Sequence, residues 1–101
     1  MYATEYTDIS LALDAARDIA NRNANARKRG TRPNSSGIRL SHQVDAIVHM
    51  VSHAAGLDTT QIFQAAEAGQ VEHASTFDQA LVKATQAALD EHYRNHPIPT
   101  I

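Results

Sequence analysis

The residues with the clearest chemical potential are the basic ones, which cluster in one part of the chain. Residues 17–39 contain seven cationic side chains and one acidic one, so this stretch carries a charge of +6. The cations are Arg17, Arg22, Arg27, Lys28, Arg29, Arg32 and Arg39. Residues 1–16 carry −3 and residues 40–101 carry −5, so the total is only −2. Because salt limits the reach of each charge to about 10 Å, this stretch can attract a polyanion although the whole chain is acidic.

Histidines form a second pattern. His42, His49 and His53 fall on one predicted helix together with Asp45, and both Asp45–His49 and His49–His53 are four residues apart. Imidazole and carboxylate groups at that spacing can bind zinc or nickel. The sequence offers no evident fourth ligand and lacks the internal glutamate of a zinc-protease helix. We interpret this face as solvated polar surface and expect no metal and no cofactor.

No pattern indicates catalysis. The chain has no nucleophile elbow, no phosphate-binding loop and no other cluster of reactive side chains with a chemical logic. We therefore expect that the protein is not an enzyme.

Length and composition set the wider limits. A chain of 101 residues fits one domain with a modest core, which oligomerisation often supplements. The absence of cysteine excludes disulfides and thiolate metal sites. No apolar run approaches the roughly 20 residues that span a bilayer, and the first residues lack the features of a signal peptide. We expect a soluble, cytoplasmic protein without a membrane partner.

The first predicted element is a helix over residues 8–22, with Thr7 as its N-cap. One apolar stripe recurs at helical spacing, formed by Ile9, Leu13, Ala16 and Ala20. Residues 21–34 are polar and basic and contain Gly30 and Pro33, which predicts a frayed helix end followed by a linker.

A short strand is predicted next, over residues 35–41, because Ile38 and Leu40 alternate with polar residues. Ser41 then suits the N-cap of a helix over residues 42–55. The apolar face of that helix consists of Val44, Ile47, Val48, Val51 and Ala55.

Two further helices are predicted from residues that end or cap helices. Gly56 is predicted to end the preceding helix, and Asp58 is predicted to cap a helix over residues 59–68, with Gly69 at its end or at a kink. Ser75 is predicted to cap a last helix over residues 76–94. The stripe predicted to pack in its core consists of Phe77, Leu81, Ala84 and Ala88.

The order of strand, helix, glycine turn and helix, with a basic arm in front, resembles the ribbon-helix-helix superfamily, the Arc and MetJ class of DNA-binding proteins. Four stretches carry the resemblance by their joint order and spacing, over about a third of the chain. They are residues 37–41, the valine and isoleucine positions 44, 47, 48 and 51, the turn 56–60, and the segment 62–66.

The resemblance implies a mainly α fold. Its ribbon-helix-helix core would contain one short β-strand per protomer, paired in an intertwined homodimer, with additional N- and C-terminal helices. The segments would be an N-terminal helix and basic linker (1–34), the DNA-binding core (35–69), and a C-terminal helix and tail (70–101).

The resemblance also implies a site for double-stranded DNA. A two-stranded ribbon fits the major groove, so Ser35, Gly37 and Arg39 would face the bases, with Arg39 as the reader of guanine. The start of the second core helix, Thr59 and Thr60, would bind a phosphate. The preceding arm would add the contacts of Arg27, Lys28, Arg29 and Arg32.

Within this family the leading functional prediction is a transcriptional repressor of plasmid or phage type, acting as a homodimer and, on DNA, as higher oligomers. The alternative is a protein-interaction module, such as an antitoxin or a relaxosome or partition accessory protein, whose acidic C-terminal helix docks a partner protein. A third interpretation is a free helical bundle in which residues 35–41 form a loop.

Overall fold

The computed structural model describes residues 2–28 and 35–96, and the side chains of residues 7–26 and 41–96. Four helices make up the fold: α1 (Tyr2–Lys28), α2 (Ser35–Ala55), α3 (Thr59–Glu67) and α4 (Phe77–Asn95). The α1–α2 pair forms the most extensive contact, α4 packs against both, and α3 packs mainly against α4. None of the described helices is both long enough and apolar enough to cross a membrane.

The predicted strand at residues 35–41 is wrong, and with it the ribbon-helix-helix core and its strand-paired, intertwined dimer. These residues form the first two turns of α2, and the described ranges 2–28 and 35–96 contain helices and connecting turns but no strand. Two alternating apolar residues are a weak strand signal, since a strand also needs a partner to pair with. Leu40 lies four residues before Val44, so the helical stripe of α2 continues backward through the segment.

The N-terminal helix is longer than predicted at both ends. It begins at Tyr2, so Thr7 is not its N-cap, and it runs to Lys28, well past the predicted end at Arg22. Ser41 likewise lies within α2 and does not cap it. The alanine, arginine and lysine residues among positions 21–28 are good helix formers, and packing against other helices can extend a helix past the point where its apolar pattern fades.

The core closes within a single chain. The predicted stripe of α1 is buried, with Leu13 and Ala16 at 1% and 0% exposure. The valines of α2 lie against it, and Val44 and Val48 are fully buried. The small side chains of α1 allow α2 and α4 to approach closely. From α3 and α4, the buried apolar residues are Ile62, Ala66, Ala80, Leu81, Val82, Ala84 and Leu89.

Both predicted glycine endings are confirmed. Gly56 and Gly69 adopt positive φ angles of 75° and 68°, the left-handed conformation that glycine accepts most readily. After α2, the Gly56 and Leu57 amides donate to the His53 and Ser52 carbonyls. The equivalent pair of bonds follows α3, so each helix ends in a Schellman motif.

The N-caps of α3 and α4 lie at or next to the residues predicted from the sequence. Asp58 caps α3 as predicted, since its carboxylate accepts from the amides of Thr60 and Gln61. The last helix is capped one residue later than predicted: Thr76, not Ser75, accepts from the Gln79 amide. The Gln79 side chain in turn accepts from the Ser75 amide at 3.0 Å, which resembles a capping box displaced by one residue.

Candidate nucleic-acid interface

The α1–α2 hairpin brings most of the predicted DNA-binding residues to one end of the molecule. Arg27 and Lys28 are the last two residues of α1, and Arg39 lies in the second turn of α2. Only six residues connect the two helices, so the end of α1 and the start of α2 are neighbours. Arg29 and Arg32 belong to that connection and lie outside the described residues.

Asn23 ties this end of the hairpin to α4. Its side chain is buried, and its Nδ2 donates to Oγ of Ser41 on α2 at 3.2 Å and to Oδ2 of Asp78 on α4 at 3.1 Å. One amide group therefore joins three helices. Asp78 is the second residue of α4, so Asn23 also marks the level at which α4 begins.

The basic end extends beyond the start of α4. Two further contacts show that α4 runs antiparallel to α1: Arg17 donates to Gln86, and Gln79 donates to Asn21. The five residues of α1 after Asn23 therefore continue past the first turn of α4, by about 8 Å at 1.5 Å per residue. The early turns of α2 accompany them, so Arg27, Lys28 and Arg39 belong to a two-helix projection, which is called the basic end below.

The seven cations of the basic stretch divide into two groups. Arg17 pairs with Asp14, and Arg22 pairs with Asp18 at 2.8 Å, each on α1 itself. The other five follow Arg22, in a part of the sequence without any acidic residue between Asp18 and Asp45. The positive charge that lacks a nearby acidic residue in sequence is therefore concentrated at the hairpin end.

The predicted reading face of Ser35, Gly37 and Arg39 does not exist as a strand face. In a helix, positions two residues apart lie on roughly opposite sides, whereas positions four apart share a side. Position 37 is thus separated from positions 35 and 39, which lie on one side of α2. The charge of Arg39 remains at the hairpin end, but the ribbon geometry that would aim it at guanine is absent.

Thr59 and Thr60 lie at the other end of α2 from the basic segment. The helix between them has 21 residues, which corresponds to about 30 Å. The Thr60 amide already donates to Asp58 Oδ1 at 3.0 Å, and the Gln61 amide approaches the same oxygen at 3.4 Å. The capping carboxylate fills the position that a phosphate would need, and these two threonines do not join the basic cluster.

Of the three histidines of α2, His49 packs against another side chain. His49 Nε2 lies 3.5 Å from Asp45 Oδ1, and the His49 ring packs against Phe63 with centroids 5.1 Å apart. His42 and His53 are exposed. Within the described part of the chain, no three metal-binding side chains are grouped closely enough to hold an ion.

Much of the surface of α4, the helix predicted to dock a partner protein, is buried in the core. Leu81 and Ala84 of the predicted stripe are buried as expected, whereas Phe77 is 47% exposed. Between α3 and α4 lies an open groove of about 650 Å³ with Ile62 and Ala88 among its lining residues. Docking of a partner protein on this helix stays a prediction.

Sequence reasoning misses the importance of Asn23, because residues 21–34 are polar and predict a frayed helix end followed by a linker. One signal was present: Asn23 and Ala24 follow Ala20 at the helical spacings of three and four residues, which places both on the buried stripe. Ala24 is indeed 3% exposed. A buried asparagine on an apolar face needs hydrogen-bond partners, and Ser41 and Asp78 supply them.

The chain matches no family model, no curated protein and no solved structure. The ribbon-helix-helix resemblance therefore rests on its short motifs alone, and one of these, the segment 37–41, is helical.

Proposed function

We propose that this protein binds double-stranded DNA through the basic end of its α1–α2 hairpin. The observation that carries the proposal is the separation of charge along the fold. Five cations follow Arg22 without an intervening acid, and they belong to the hairpin end and its connection. The bundle beyond that end has acidic residues on every helix. A DNA duplex has a high density of phosphate charge, which favours such a localised cationic end.

The binding mode differs from that of a ribbon. A helical hairpin end can contact phosphates on either side of a groove, and the major groove is wide enough to admit an α-helix. Contacts of this kind position a protein on DNA without reading its sequence. Sequence preference, and with it the role of a repressor, is a further part of the proposal that depends on base contacts from positions such as Arg39. The cytoplasm, where such a protein would meet DNA, is the compartment that fits.

The salt dependence of binding tests the proposal. Five phosphate contacts predict a slope of log K against log salt of about −4.5, or roughly 500-fold weaker binding at 200 mM than at 50 mM salt. Fluorescence anisotropy with a labelled duplex of mixed sequence measures this slope. A slope near zero for the unmodified chain would refute binding by phosphate contacts.

Matched variants test the location. The double variant Arg27→Gln/Arg39→Gln removes two charges from the hairpin end and should reduce the slope by about 1.8. The control Arg22→Gln/Arg94→Gln removes the same charge, one from a residue paired with Asp18 and one from the last turn of α4, at the far end of the bundle. Its slope should stay close to that of the unmodified chain. Equal effects of the two variants would contradict the assignment.

A homodimer stays a prediction of this proposal, and it no longer depends on strand pairing. Sedimentation of the protein alone and with the duplex measures it in the same samples. A second copy would place a second basic end on the DNA and would double the number of phosphate contacts.

A further inference from the structure

A small pocket opens at the junction of α2, α3 and α4, beside the base of the hairpin, where Ser41 is among its lining residues. It has a volume of about 290 Å³. Its wall includes Asp45 of α2, Phe63 of α3, and Phe77 and Asp78 at the start of α4. Ser41 and His42 of α2 and Leu81 of α4 complete the wall, which therefore combines two carboxylates and two phenylalanine rings with a hydroxyl, an imidazole and an apolar side chain.

The first carboxylate has an unsatisfied oxygen. Asp45 Oδ1 is buried and accepts no hydrogen bond from any described residue. His49 Nε2 lies 3.5 Å from this oxygen, which is too distant for a good hydrogen bond. The Asp45 side chain as a whole is 44% exposed, but this oxygen is shielded from water, so a ligand donor that reaches it would stabilise this arrangement.

The second carboxylate is held firmly in place. Asp78 is only 4% exposed, and the buried Asn23 amide donates to its Oδ2 at 3.1 Å. Its position in the first turn of α4 also places it near the positive end of that helix dipole. Asp78 is therefore a fixed negative group in the wall of the pocket.

The aromatic wall completes the site. Phe63 and Phe77 pack edge to face with ring centroids 6.2 Å apart. Phe77 is 47% exposed, so part of its ring is open to a ligand. An aromatic face beside carboxylates favours a flat organic cation, which can stack on the ring while its N–H groups reach the oxygens.

We propose that this pocket binds an alkylguanidinium group, the chemistry of an arginine side chain. Guanidinium is planar, stacks on aromatic rings and presents several donors in a fixed fork, whereas an ammonium group is a compact point charge. The site differs from the basic end proposed for DNA in the charge that it attracts, although Ser41 of its wall lies only two residues after Arg39. The two proposals can therefore fail independently.

An NMR titration of the full chain tests the proposal with two probes of the same shape. Butylguanidinium should shift the amide signals around Asp45 and Phe77, with a Kd on the order of 1 mM. Butylurea, its uncharged counterpart, should bind at least about tenfold more weakly, since charge-assisted hydrogen bonds are roughly twice as strong as neutral ones. Equal binding of the two probes, or no shift around the pocket, would overturn the proposal.

Two variants test whether the cation binds at Asp45. Asp45→Asn should weaken butylguanidinium binding by about tenfold, as expected for a lost charge-assisted hydrogen bond. Glu67→Gln removes one charge from an exposed position at the end of α3 and should leave the Kd unchanged. Unchanged binding by the Asp45 variant, or an equal loss in both variants, would mean that the cation senses only the general acidity of the surface.

A third probe distinguishes the two natural sources of the group. N-acetyl-arginine amide carries the same guanidinium on a peptide backbone. A Kd similar to that of butylguanidinium would identify an arginine of a protein segment as a competent ligand. A Kd more than about tenfold weaker would assign the pocket to a free small cation, since a tenfold change corresponds to a single clash or lost contact with the backbone.

Discussion

Replacing Asn23 with alanine would remove a side chain that joins α1, α2 and α4 by hydrogen bonds. Asp78 Oδ2 would lose the donor at 3.1 Å, and Ser41 Oγ would lose the donor at 3.2 Å. Asn23 is 3% exposed and Asp78 is 4% exposed, so water has little access to either group in the folded state. The carboxylate would be left buried beside an apolar methyl group.

The expected cost combines two opposing effects. An orphaned buried acceptor costs about 1–3 kcal/mol, with charged groups at the upper end. Alanine is a better helix former than asparagine by about 0.5 kcal/mol, which offsets part of this loss. We expect a net decrease of about 2.5 kcal/mol in the free energy of unfolding and a decrease in Tm of roughly 10 °C or more.

Asn25→Ala is the matched control. Asn25 lies two residues further along the same helix and is exposed, so this variant carries the gain in helix propensity without the orphaned carboxylate. Urea unfolding followed by circular dichroism measures both variants. We expect the control to be unchanged or slightly more stable, within about 0.5 kcal/mol.

A double-mutant cycle with Asp78→Ala separates the pair from its surroundings. The double variant should lose about 1 kcal/mol less than the sum of the two single variants, because it leaves no buried carboxylate without a donor. Additive losses, or an Asn23 variant as stable as its Asn25 control, would refute the role given to this contact.

The remaining predictions concern the two connections around α3. Gly56→Ala should lower the free energy of unfolding by about 1 kcal/mol, because its φ of 75° disfavours a side chain even though nothing lies within 4 Å of the added Cβ. Thermal unfolding measures this loss, and an unchanged Tm would show that the turn relaxes without strain. Asp58→Ala should cost about 1 kcal/mol by removing the N-cap of α3, whereas Asp58→Asn should retain most of the stability, since asparagine caps equally well. Equal losses in both Asp58 variants, measured by urea unfolding, would indicate that charge and not capping is responsible.

Much of the helical architecture is evident in local sequence. The stripe that includes Leu13 and the stripe that includes Val48 repeat at helical spacing, and both are buried. Gly56 and Asp58 define the connection between α2 and α3 through backbone conformation and side-chain capping, which depend on only a few neighbouring residues. The charge asymmetry is a property of composition and needs no structure at all.

Segment 35–41 shows where local information was insufficient. Ile38 and Leu40 alternate as in a strand, yet Leu40 also continues the stripe of α2. Gly37 would destabilise either a helix or a strand by roughly 1 kcal/mol relative to alanine. The choice depends on the partner available to the segment. The tertiary structure places it beside the end of α1, with Asn23 bonded to Ser41, and a helix results.

The sequence by itself determined the helical stripes, the turn between α2 and α3, and the clustering of cations, because each depends on residues close together in the chain. Only the tertiary structure decided that Asn23 is a buried junction, that Thr59 and Thr60 lie far from the basic end, and that Asp45, Phe63, Phe77 and Asp78 share one pocket. The physical reason is distance along the chain. These groups meet only when three helices pack together, and the burial that gives them their chemistry is created by that packing.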